Sequence, residues 1–169
     1  MRKAARKPGL RFAMLAAVGV WAVALAVNLT GTFSKPANNP PGANSVIKID
    51  DVPFDDHPNN EPHVGCVFQV DFYNYDQGPY NADVVFTIHP PSGKDRVVRT
   101  DTVFVGEDPA GGGRDVDAQV TYDLNMDVYA SERHAKQGFH VRVDVTAPGA
   151  GGKLAKKSKV FWVHDCIDP

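Results

Sequence analysis

Cysteine is scarce in this sequence, with two in 169 residues. That is too few for a disulfide-dense miniprotein or a four-cysteine zinc module. No G-x-S-x-G elbow, H-E-x-x-H pair or D-x-[DN]-x-[DN]-G calcium loop occurs, which removes the common hydrolase, zinc-protease and calcium-hand signatures. The nearest approach to a phosphate loop, Ala147 to Leu154, has alanine for its first glycine and leucine where Ser or Thr would meet the metal. None of Ser92, Ser131 and Ser158 has an obvious base beside it. No repeat of 20 to 50 residues is visible, so a solenoid or propeller is excluded.

Acidic residues are missing from the start of the chain. No Asp or Glu precedes Asp50, whereas Arg2, Lys3, Arg6, Lys7 and Arg11 crowd the head. Beyond that head thirteen bases face twenty acids, a formal charge of −7. An acidic body argues against general phosphate-backbone binding, so no nucleic-acid partner is expected. After the five cations comes Phe12 to Val27, 16 residues without a charge. A basic stretch followed by an apolar one is an export pattern. As a helix it would span ~24 Å, short of the ~30 Å hydrocarbon core. The sequence therefore predicts a signal peptide or N-terminal membrane anchor over residues 1–30, forming a hydrophobic helix. Ala24-Leu25-Ala26 offers a peptidase site. A flexible Pro/Asn/Gly-rich linker follows over 31–45, then an extracellular or cell-surface domain over 46–169.

Period-two alternation dominates that domain. Cys66, Phe68, Val70 and Phe72 share one phase, and Gln69, Asp71 and Tyr73 the other. Val84, Phe86 and Ile88 repeat the pattern, as do Ala118, Val120, Tyr122 and Leu124, and Phe139, Val141, Val143 and Val145. In the last strand Val160, Trp162, His164 and Cys166 fall together, which predicts that they face inward. With short Val46 to Ile49 and the run Val97 to Val105, about seven strands emerge. Their spacing predicts an all-β, immunoglobulin-like antiparallel β-sandwich. Met126 to Gln137 breaks the rhythm and predicts one short crossover helix, capped by Asn125 and ended by Gly138.

Cys66 opens the first long strand and Cys166 closes the last. Outside the cytoplasm such an even pair is expected to form a disulfide.

Two clusters invite a binding role. Asp55, Asp56, His57, Glu61 and His63 place three carboxylates and two imidazoles within nine residues, a ligand set suited to a divalent metal. Pro53, Pro58 and Pro62 bar helical alignment of those ligands, so a braced loop is the competing expectation. Apart from such a metal, no cofactor is called for. Tyr73 and Tyr75, with Tyr80 near, are expected on the face opposite Phe68 and Phe72, where exposed rings stack on sugars or anchor a protein. Asp71 and Asp76 nearby suit hydroxyl groups. Lys153, Lys156, Lys157 and Lys159 form the one basic patch after the head, expected as a solvated hairpin or as a contact for anionic envelope polymers. His134 and His140 read as surface or packing histidines.

PFDDHPNNEPHVGC followed by FQVDFYNYDQG, and the ending KVFWVHDC, resemble a group of small secreted actinobacterial proteins. The likeness runs from about Val46 to Cys166 and implies location rather than chemistry. The sequence thus points to a non-enzymatic interaction domain of the bacterial envelope, with an envelope protein or glycan as partner and membrane contact through an uncleaved head. A carbohydrate-binding module, or a metal-binding domain or metal-dependent enzyme using the Asp55–His63 cluster, are the alternatives.

Overall fold

The alternating segments become eight strands in a computed structural model that describes residues 44–56, 59–110 and 116–164. These residues belong to one unit, 34–169; the predicted signal or anchor segment, and all of the predicted linker but Asn44 and Ser45, lie outside the described residues. The strands are β1 (Val46–Asp50), β2 (His63–Val64), β3 (Val67–Tyr73), β4 (Asn81–Ile88), β5 (Arg96–Phe104), β6 (Val116–Asp123), β7 (Phe139–Pro148) and β8 (Leu154–Val163). They form a three-stranded sheet, β1-β3-β6, and a five-stranded sheet, β2-β8-β7-β4-β5. The fold is mostly β and two-sheeted, as the alternation predicts. Among the described residues no helix is long and apolar enough to cross a membrane.

The apolar phases of the strands supply the core. Ile47 and Ile49 come from β1, Phe68, Val70 and Phe72 from β3, Val84, Phe86 and Ile88 from β4, and Val141, Val143 and Val145 from β7; all are buried. Phe68 links the two sheets, its ring centroid 5.9 Å from Phe86 and 5.1 Å from Phe161. Tyr122 joins them edge-on, 4.7 Å from Phe86, and its hydroxyl donates to Asp101 Oδ2 at 3.1 Å. These edge-to-face contacts add to the apolar burial that holds the sheets together.

The structure departs from the sequence reading in four places. First, there are eight strands, because His63–Val64 leaves the leading loop to pair in parallel with β8. The sheets are therefore not wholly antiparallel. Second, the crossover is a 3-10 segment, Met126–Glu132, with non-helical backbone at Tyr129. Asn125 sits in left-handed conformation without a side-chain cap, and its backbone N–H instead donates to Asp123 Oδ1. Gly138, at φ +81, makes the turn into β7, where an added Cβ would strike Val163 O. Third, β8 has the opposite phase. Phe161, Val163 and Ala155 are buried, while Trp162 is half-buried and Val160 exposed. Fourth, Ser45, placed in the linker, is buried at the start of β1.

Candidate functional site

The leading loop behaves as a brace. Asp50 Oδ2 accepts from the Asp55 backbone at 2.9 Å, Glu61 Oε2 from the Asp51 backbone at 2.5 Å, and Asp51 Oδ1 from the Gly65 backbone at 2.9 Å. Pro62 O accepts from Trp162 N at 2.8 Å, pinning the loop's end to β8. Asp55, Asp56 and His63 are exposed and Glu61 is committed to the backbone; His57 lies outside the described residues. Among the described residues no three His, Cys, Asp or Glu side chains come together to hold a metal ion. The carboxylates of Asp50, Asp51 and Glu61 close the loop, while Asp55 and Asp56 face solvent.

The tyrosines are not a platform. Tyr73 and Tyr75 are each only 3% exposed. Tyr73 donates to Asp71 Oδ2 at 3.3 Å, and burial followed by the Asp71 charge pushes its hydroxyl up to about 12. Tyr75 turns into the core beside Phe72, 6.0 Å between centroids, and burial carries its hydroxyl above the usual tyrosine range. Tyr80 is half-buried, folded over the Gly78 turn. Alternation placed Tyr73 on the outer face correctly. It missed the polar cover of that face, where Asp71 accepts from Gln69 at 2.8 Å and Gln119 at 3.2 Å. The lysines separate too: Lys153 lies in the turn before β8, whereas Lys156, Lys157 and Lys159 lie within β8. Cys66 is not a free thiol. Cys166 lies outside the described residues.

A site the sequence did not assemble occupies the outer face of the five-stranded sheet. His63 of β2 is level with Trp162 of β8, and Trp162 with His140 of β7. His89, just past β4, donates its backbone N–H to His140 O at 2.8 Å. One lateral row therefore reads His63, Trp162, His140, His89 across four strands. The His140 ring is 4.6 Å from the indole and 5.5 Å from His89, and His134 approaches the indole at 5.6 Å from the turn before β7. Buried Ser92 supports the row by accepting from His140 N at 2.8 Å.

Charge surrounds the row. His89 Nδ1 lies 2.9 Å from Asp95 Oδ1, and Arg142 spans Asp144 at 2.8 Å and Asp95 at 3.4 Å. The His89 hydrogen bond, and behind it the Arg142 charge, hold the Asp95 carboxyl below the usual carboxylate range. The alternation does set His140, Arg142 and Asp144 outward from Val141 and Val143. Nothing local showed that His63, His89 and Trp162 would join them.

No family model and no curated protein matches the chain. Among solved structures it is similar to the soluble domain of PmoD from Methylocystis sp. (Rockwell), at 12% identity and a TM-score of 0.35, over 71% of this chain and 90% of that one. Likeness at this level says nothing of shared function.

Proposed function

We propose that this chain is a non-enzymatic interaction domain of the bacterial envelope that engages its partner through the outer face of the five-stranded sheet. The observation that carries the reading is the row His63–Trp162–His140–His89, a half-buried indole flanked by imidazoles on a sheet face, with the Arg142 guanidinium beside His89. Trp and Arg are the side chains that most often anchor protein interfaces. The basic, then apolar, head supports export, and the absence of a free thiol at Cys66 fits an oxidising compartment. The strand order supports an immunoglobulin-like topology: β1-β3-β6 faces β8-β7-β4, with β5 on the edge and short β2 parallel to the last strand.

The test is crosslinking of the full chain on intact cells, wild type beside Trp162→Ala. A partner captured by wild type should be weakened by about 2 kcal/mol or more, roughly thirtyfold, when the indole is removed. Equal capture by the two would sink the reading. The carbohydrate alternative moves from the buried tyrosines to Trp162, whose indole suits stacking on a sugar ring. Retention on peptidoglycan or insoluble glycan, lost in Trp162→Ala, would favour it over a protein partner.

A further inference from the structure

The five described histidines are scattered in sequence at positions 63, 89, 134, 140 and 164, yet all lie at one end of the five-stranded sheet or in the turns beside it. Their hydrogen bonds divide them. A neutral imidazole protonates one nitrogen and keeps a lone pair on the other, and the partner decides which. His140 Nδ1 is 2.5 Å from the Pro90 carbonyl, which can only accept. His89 Nδ1 is 2.9 Å from the Asp95 carboxylate, which also only accepts when ionised. Both rings therefore carry hydrogen on Nδ1 and a lone pair on Nε2. Arg142 Nη1 stands 3.2 Å from His89 Nδ1, but a protonated nitrogen cannot accept from it, so its partner is Asp95. His134 is set the other way: its Nδ1 accepts from the Lys136 backbone at 3.3 Å, which leaves the hydrogen on Nε2.

We propose that His89 and His140 form a site for one divalent transition-metal ion of the imidazole-preferring class, held by Nε2 of each ring. An imidazole whose Nδ1–H is tied to a carboxylate or backbone carbonyl is oriented and made more basic for ligation. Both rings have that arrangement, one with each kind of acceptor. Two metal–nitrogen bonds of about 2.0–2.1 Å place the nitrogens at most about 4 Å apart, a span open to rings whose centroids are 5.5 Å apart. In the ion-pair chain that runs from His89 through Asp95 and Arg142 to Asp144, two carboxylates stand against one guanidinium. No three candidate ligands meet among the described residues, and the remaining positions fall to water or to donors of a bound molecule. The general affinity order places Cu2+ ahead of Ni2+ and Zn2+. The inference goes beyond the interaction reading and does not depend on it, because the ion is measured with no partner present.

The test is a Cu2+ titration at neutral pH of the full chain carrying Trp21→Phe, which leaves Trp162 as its one indole. Calorimetry should give one ion per chain, with saturable quenching of Trp162 emission, since the His140 ring lies 4.6 Å from it. His89→Gln and His140→Gln should each weaken binding by about tenfold or more, and Asp95→Asn by about 10–100-fold. Asn tolerates the left-handed backbone at position 95, φ +55, so that turn is kept. His134→Gln should bind as wild type does. No saturable binding, or unchanged binding in His89→Gln and His140→Gln, would overturn the proposal. Should a glutamine variant lose the wild-type melting transition, imidazole nitrogen spectra of the wild-type chain with Zn2+ decide. Shifts at Nε2 of His89 and His140 support the site; shifts elsewhere, or none, overturn it.

Discussion

Asp50 sits 1% exposed at the end of β1, with Oδ2 holding the Asp55 backbone and Oδ1 without a hydrogen-bond partner. Burial, and then the charges of Asp71, Glu61 and Asp55, raise its carboxyl above the usual carboxylate range, against the pull of the Asp55 hydrogen bond. A carboxyl raised on folding binds its proton more tightly in the native state. The penalty is absent at pH values below the unfolded carboxyl's range, sets in as pH rises through the interval up to the folded value, and is full above it. Asp50→Asn keeps an oxygen for the Asp55 N–H and removes the charge. It should melt higher than wild type at pH 7, with the two curves converging in acid; thermal unfolding across that range checks it. A variant melting below wild type at pH 7 would contradict the assignment.

At the scale of the element, β8 is the most instructive. Its inward phase runs from Ala155 through Lys157 and Lys159 to Phe161 and Val163, the lysines level with Val145 and Val143 of β7. Long alkyl stems can line the rim of a core while the ammonium reaches water. Lys157 and Lys159 interrupt the odd phase in sequence, which left Val160 and Trp162 to be read as the inward set, so alternation inverted this strand. It succeeded for β3, β4 and β7, whose inner phases carry no charge. The lysines also have a place in the sheet. β2 covers β8 only at Trp162 and Val163, so along most of its length β8 borders just β7 among the described strands. Charged side chains on such an edge oppose strand addition. Replacing Lys156, Lys157 and Lys159 with Ser should leave the fold intact and promote self-association, read as a rise in mass by light scattering. A strictly monomeric triple variant would return the lysines to a partner-binding role.

For the whole molecule, the closure between Cys66 and Cys166 is the sequence expectation with the largest energetic reach. The β2–β8 register, His63 with Trp162 and Val64 with Val163, brings the chain before Cys66 alongside the chain before Cys166. A bridge between them would close a loop of roughly 100 residues and stabilise by up to ~4.7 kcal/mol in the entropy model. Reductant, or Cys66→Ser, should lower the denaturant midpoint accordingly; an unmoved midpoint would show that no such bridge acts. Most of the sheet framework was legible because each strand announces its own period. The histidine row was not, because its members are neighbours only across strands, and register is a property of pairs. Tyr73 misled for a related reason: the outer polar phase of β3 was read as solvent-facing, and the amide and carboxylate cover over it comes from β3 and β6 together. Tyr75, in contrast, lies past the end of β3 and joins the core.

The last described strand, β8, meets β2 only at Trp162 and Val163 but lies against β7 along its whole length. In a polypeptide that emerges with its amino end leading, His63, His89 and His140 all appear before Trp162 does. The row is completed only when β8 pairs with β7 and with His63–Val64. On the proposed reading, recognition through that face waits for β8 to pair.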